Sequence, residues 1–318
     1  MATPCNLETA CAAGACEQVI GSLESAAQLQ PDNPMLYYRL GACYSGGCRL
    51  HAFVHAGMAL SYLRRALELL GPGPSNMRAA VLESLGYAVT HSRDLAAWQA
   101  SRDYYLQALA IYESMGTRDD RARAHFNVAN CCCELSEFSG EDHWREAVVH
   151  YEESLRVRSR GSDPERCAAV LENLGTAYRR LPMDEAATNV KRSIQCYRRA
   201  LGYLPRHSQE RNAALHNNLG NAFLSLPDAD ATMVTRNARR ALHHFARALG
   251  IQSGNRSCLA YGITQFNRAQ AYLRLARLRP STNLKLAAAC LREACAAFQS
   301  SGEERHLRCA RAQLESIL

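Results

Sequence analysis

The sequence predicts an all-α solenoid of stacked helical repeats, and three regularities carry the expectation. A small residue returns about every 45 positions, at Gly41, Gly86, Ala129, Gly175, Gly220 and Ala269. Between 22 and 28 residues later stands an Ala-Leu pair or its equivalent: Ala66-Leu67, Ala108-Leu109, Ser154-Leu155, Ala200-Leu201, Ala248-Leu249 and Ala294-Cys295. Three residues before each pair stands a mostly bulky apolar side chain: Leu63, Tyr105, Tyr151, Tyr197, Phe245 and Leu291. A unit this short cannot bury its apolar face alone, so neighbouring copies must stack along one shared core and groove.

In chain order, residues 1–34 read as an N-terminal helical cap, with a helix expected over 7–30. Six repeats follow over 35–302, at about 35–78, 79–121, 122–166, 167–211, 212–257 and 258–302. The first helix of each repeat shows apolar and small residues at helical spacing, such as Val170, Leu171, Leu174, Gly175, Ala177 and Tyr178 in the fourth. A glycine inside a helix costs roughly 1 kcal/mol against alanine, so its recurrence in phase needs a packing reason, namely close helix approach. Leu181-Pro182 and Leu226-Pro227 stop two first helices, because proline disfavours helix in the residue before it. Second helices are expected to start near Thr188, Thr282 and the Asp142-His143-Trp144 segment. Gly71-Pro72-Gly73-Pro74 marks the clearest break between repeats. Residues 303–318 close the array with an amphipathic helix built on Leu307, Ala310, Leu314 and Ile317.

The small residue in the first helix, the aromatic just after it and the Ala-Leu of the second helix resemble the tetratricopeptide repeat. So does the junction Gln28-Leu29-Gln30-Pro31-Asp32-Asn33-Pro34 running into Met35-Leu36-Tyr37-Tyr38-Arg39-Leu40-Gly41. Each copy departs from a 34-residue unit by roughly ten extra residues between its helices. In that respect the repeats are similar to elongated ones that accompany caspase-like CHAT peptidases. The resemblance implies a right-handed superhelix whose first helices line the concave side, and a protein-binding scaffold. HEAT and armadillo units have the right length but lack the Gly, aromatic and Ala-Leu pattern.

Hydrophobic residues make up 47% of the 318 and charged residues 21%, an ordinary soluble composition. No apolar run approaches membrane-spanning length, and Met1–Glu8 lack the basic and apolar stretches of a secretory leader, so a cytoplasmic protein with no membrane contact is expected. Fourteen cysteines are too sparse for a disulfide scaffold. Cys43 and Cys131 occupy the slot that Ala88, Ala177, Ala222 and Ala271 fill elsewhere, which reads as packing. Residues 1–150 carry a net charge of −5 (11 Arg against 16 Asp and Glu) and residues 151–318 one of +12 (26 Lys and Arg against 14 acidic). The basic half points to an acidic partner surface.

Asparagines recur at one phase of the first helices. Asn127, Asn173, Asn218 and Asn267 stand two residues before the repeat Gly or Ala, and Asn130, Asn217 and Asn221 add further amides. A row of amides can read an extended peptide's backbone regardless of its side chains, or else bridge adjacent helices. With Arg179 these residues form the candidate partner-binding set. The carboxylate clamp of some tetratricopeptide domains is absent, since Phe126, Ala214 and Asn218 stand where its Lys and Arg belong. Cys43, Cys48, His51 and His55 have metal-ligand chemistry, but no other copy repeats them, and neither metal nor cofactor is expected. The pairs Lys191-Arg192, Arg198-Arg199 and Arg239-Arg240 fall in second helices, on the outer wall, which argues against nucleic acid as the main partner. No catalytic motif appears, so the expected protein is no enzyme but an adaptor holding a protein or peptide in its groove. The alternatives are a ribonucleoprotein scaffold using the basic half, and a regulator of a separately encoded caspase-like peptidase.

Overall fold

Fourteen α-helices and no strand make up the residues that the computed structural model describes, 16–47, 55–157, 163–181, 186–205 and 207–318. Helix α1 (Cys16–Leu29) is followed by α2 (Pro34–Ala42) packed on α3 (Ala56–Leu70), then α4 (Asn76–Val89) on α5 (Leu95–Met115), and α6 (Arg118–Ser139) on α7 (Trp144–Val157). The same pairing continues with α8 (Pro164–Arg180) on α9 (Ala186–Tyr203), α10 (Gln209–Ser225) on α11 (Ala231–Gln252), and α12 (Leu259–Ala276) on α13 (Pro280–Ser300). Helix α14 (Glu304–Glu315) packs on α13. The backbone gathers into two units, residues 1–159 and 160–318.

Short polar side chains start the helices where the backbone N–H groups lack partners. Ser75 accepts from Arg78 N at 3.1 Å, Asp94 from Ala97 N at 2.8 Å and Asp230 from Met233 N at 2.7 Å. Thr117 and Asp120 cap α6 reciprocally. Helix α7 starts at Trp144 as its sequence predicts. Helix α13 instead starts at Pro280, two residues ahead of Thr282, while α9 is already helical at Ala186, the first residue described after 181. At α13 the proline takes the first helical position, where a missing N–H costs nothing, so the threonine is not needed as a cap. Helices α8 and α10 stop at Leu181 and Leu226, each in extended-type geometry before its proline. Part of the expected 7–30 helix lies outside the described residues; the rest is α1.

The recurrent glycines have the packing partner their cost demands. A Cβ on Gly41 would stand 2.4 Å from Leu63, on Gly175 2.7 Å from Tyr197, and on Gly220 2.3 Å from Phe245; on Gly86 it would press Tyr105 at 3.0 Å. Each clash is with the bulky residue three positions before Ala-Leu in the partner helix. All six bulky residues, and the Ala or Ser that follows each by three, are buried. Gly262 makes a further such contact, with Phe298 at 2.8 Å, outside the phase read from the sequence. Two of the serines that replace alanine in the core give their hydroxyl to a carbonyl: Ser154 donates to Ala122 O at 2.6 Å and Ser101 to Gly86 O at 2.8 Å.

Cys131 is buried, with its Sγ 3.2 Å from Ser101 Oγ, and burial pushes its thiol up to about 11. It acts as a slightly larger alanine. Cys131→Ala is expected to lower stability by no more than about 1–2 kcal/mol in denaturant unfolding. Stoichiometric zinc in the purified protein that disappears with this substitution, or a loss of folding, would contradict a packing role.

Candidate functional site

All eight candidate residues fall on the first helices α6, α8, α10 and α12, and none is either fully buried or fully exposed. In the second unit the first helices of successive pairs touch, α8 on α10 and α10 on α12. Their amides meet there. Asn218 Nδ2 donates to Glu172 Oε1 at 3.3 Å, and Asn267 Nδ2 to Asn217 Oδ1 at 3.0 Å. Gln270 and Gln313 exchange two bonds, 2.7 and 3.2 Å, onto α14. The first unit repeats the scheme, with Asn127 Nδ2 donating to Glu83 Oε1 at 3.4 Å. The rule behind it is positional: the residue three before the repeat glycine accepts, and the residue two before the small residue of the next copy donates.

Glu83 and Glu172 are the members of this ladder that sequence reasoning missed. The available signal was their shared offset from Gly86 and Gly175. Glu83 is nearly enclosed and held by Arg123 through bonds of 3.1, 3.2 and 2.8 Å and by the Tyr112 hydroxyl at 3.0 Å. Glu172 is held more loosely, 3.6 Å from Arg211 Nε. Burial raises its pKa, an effect that Arg211 opposes.

A second slot lies one residue after the repeat Gly or Ala. Asn130 Oδ1 accepts from the Tyr151 hydroxyl at 2.6 Å, and Thr176 Oγ1 lies 3.0 Å from that of Tyr197. In the next copy the ring is Phe245, which has no hydroxyl. Asn221 therefore keeps its amide without a side-chain partner among the described residues. Arg179, one turn beyond Gly175, has a buried Nε with no acceptor among the described residues.

Two histidine pairs also escaped the sequence reading. His125 and His150 approach at 2.9 Å between Nδ1 atoms, and His216 and His244 at 3.0 Å. Both pairs join the residue four before the small residue to the one before the bulky ladder residue, so they are the same contact in alternate copies. Burial depresses all four rings, His216 and His244 to about 4.

The basic side chains of the second helices are exposed, and three of them lie over aromatic faces: Arg192 over Tyr178, and Arg198 and Arg240 over Phe223, at 5.6–5.9 Å. Cys48 and His51 of the Cys/His cluster lie outside the described residues. Among the described residues no three His, Cys, Asp or Glu side chains converge as metal ligands, and no helix is long and apolar enough to cross a membrane.

No family profile matches the chain, and no curated protein does. Solved structures do. The C-terminal part of a TPR repeat-containing protein from Cytophaga hutchinsonii is similar over 92% of this chain and 97% of its own, with a TM-score of 0.57 at 12% identity. The apo form of RapI is similar over 89% and 99%, with a TM-score of 0.58 at 16% identity. A Rap protein crystallised with Competence and Sporulation Factor is similar over 95% and 79%, with a TM-score of 0.50 at 14% identity. Helix pairing, the small-against-bulky contact within each pair and these likenesses together give the chain the fold of the tetratricopeptide-repeat proteins.

Proposed function

We propose that this chain is a non-catalytic adaptor that holds a protein or extended peptide against its first helices. The carrying observation is Asn221, an open amide in a row whose neighbours are engaged. Asn173, Asn217, Asn218, Asn267 and Arg179 share its side of the second unit. First helices of successive pairs touch there while second helices make no comparable approach, which supports reading that side as the inner one. An amide bridged through a single N–H keeps a second donor and acceptor capacity for a peptide backbone. A Rap protein of the same fold has been captured with a factor bound, which supports a holding role. The net +12 of residues 151–318 favours an acidic partner surface.

The test separates binding from folding. Asn221→Ala is expected to leave stability within about 0.5 kcal/mol, because no internal bond is lost. Asn218→Ala removes the bridge to Glu172 and is expected to cost about 1 kcal/mol. Both should weaken capture of the partner identified by affinity purification, and unchanged capture with Asn221→Ala would refute the groove.

A second reading has its own observation. Arg236, Arg239 and Arg240 line a cleft of about 550 Å³ with Thr232 and Thr235 along the start of α11, a surface suited to phosphates. If RNA were the ligand, affinity would fall at least about tenfold between 50 and 200 mM salt. Tight single-stranded RNA binding at physiological salt, abolished when Arg198, Arg199, Arg239 and Arg240 become serine, would displace the adaptor reading. Weak, sequence-blind association is expected instead.

A further inference from the structure

The roughly ten residues that lengthen each repeat build a cleft in the first unit. After α4 the chain makes a 3-10 turn, Thr90–Ser92, and Arg93 adopts left-handed geometry (φ 52) before Asp94 caps α5. That reversal sets Trp98 one turn into α5. Across from it α6 runs on past the repeat alanine as far as Ser139, carrying Glu134 and Phe138 with it. Tyr87, Trp98, Glu134 and Phe138 thus line a concavity of about 530 Å³, the size of a side-chain or small-ligand site.

Its chemistry is unusual for a protein surface. Tyr87 is 51% exposed and Phe138 49%, so two large aromatic faces meet solvent at one place. Among the described residues the buried Trp98 indole N–H has no acceptor. Glu134 stands one turn before Glu137, and their like charges repel; burial and then Glu137 raise the Glu134 carboxyl, and Arg93 opposes them. Glu134 and Arg93 both line the cleft, so its wall carries one carboxylate beside the aromatic faces and one guanidinium. The His91 ring stands edge-on to Tyr87, with 5.2 Å between centroids, and its Nδ1 lies 3.1 Å from Ala88 O.

We propose that this cleft takes an arginine or lysine side chain of a peptide partner. The methylene stem lies against Tyr87 and Phe138, the cationic head meets the aromatic faces and Glu134, and a peptide carbonyl accepts from the Trp98 indole. Aromatic faces attract a cation through their quadrupole, and a carboxylate beside them selects it over an apolar chain of equal length. The proposal rests on the adaptor reading and names the chemistry of one partner residue. It lies in the other unit from Asn218 and Asn221, so the two can fail separately.

The test uses the full chain labelled with 15N-tryptophan. Its two tryptophans give two indole N–H signals, assigned with Trp98→Phe. Probes are capped pentapeptides of glycine with arginine, norleucine or glutamate at the centre. The arginine peptide is expected to shift the Trp98 signal downfield saturably and leave Trp144 in place, and Glu134→Gln should weaken that binding at least about tenfold. Equal response to the norleucine peptide would make the cleft an apolar slot and overturn the proposal. Preference for glutamate would make it an anion site under Arg93 and overturn it too, as would no saturation up to about 10 mM. The peptide series on the unmutated chain decides the matter even if Glu134→Gln fails to fold. A silent Trp98 alongside partner capture that depends on Asn221 would sink the cleft alone, and a responsive Trp98 with capture indifferent to Asn221 would sink the groove alone.

Discussion

Gly220→Ala is expected to destabilise the second unit by about 1–3 kcal/mol, even though alanine is the better helix former by about 1 kcal/mol. The added Cβ would stand 2.3 Å from Phe245 Cε1, and Phe245 is fully buried, so the ring has nowhere to swing. The helices α10 and α11 would have to separate. Truncating the ring instead, Phe245→Ala, opens a void in the same place and is expected to cost about 3–5 kcal/mol. The two changes are coupled, which makes the contact testable by a double-mutant cycle. On a Phe245→Leu background the Gly220→Ala penalty should shrink, because the ring edge that meets the Cβ is gone and leucine stands at this position opposite Ala269 in the α12–α13 pair as well as opposite Gly41 in the α2–α3 pair. A Gly220→Ala penalty of the same size on both backgrounds, measured by denaturant unfolding, would show that the ring is not what selects glycine.

Acid is expected to remove about 2–3 kcal/mol from the second unit between pH 6.5 and 4, through His216 and His244. Burial depresses both rings to about 4, and nearby His243, Arg198 and Arg247 oppose further positive charge. The unfolded chain titrates near 6.5, so between the two values it binds more protons than the folded one, and stability rises with pH there. The contribution is therefore complete above about 6.5 and is lost as pH falls toward 4. One proton fits the pair, since a protonated Nδ1 can donate to its partner at 3.0 Å; the second leaves two donors facing each other. The α8–α9 pair carries Leu171 and Cys196 at the equivalent positions. His216→Leu with His244→Cys should therefore flatten the dependence in this window. An unfolding curve whose slope against pH does not change with that double substitution would place the acid sensitivity in other groups.

Much of the fold was legible because it repeats. The interval between Gly175 and Gly220 and the recurrence of Tyr197 as Phe245 place two helices and their contact without coordinates, since a glycine in mid-helix is stable only where another side chain needs its space. Leu181-Pro182 and Leu226-Pro227 mark helix ends for an equally local reason. The start of α13 was less legible, because a proline can begin a helix as readily as the threonine two residues later.

What the sequence determined by itself is thus the contact within each repeat, where both partners recur at fixed offsets and chain connectivity holds them close. The contacts between repeats were decided by tertiary structure. That Asn218 meets Glu172, 46 residues away, while Asn221 is left open depends on how α10 is rotated against α8 and on a hydroxyl that Tyr197 has and Phe245 lacks. The His216–His244 pair and the Tyr87–Trp98–Phe138 cleft are of the same kind, set by helix rotation and by the length that the inserted segments add. Periodicity fixes which face of a helix is buried, but the choice of polar partner across two packed helices turns on ångström-scale offsets that a repeat pattern does not encode.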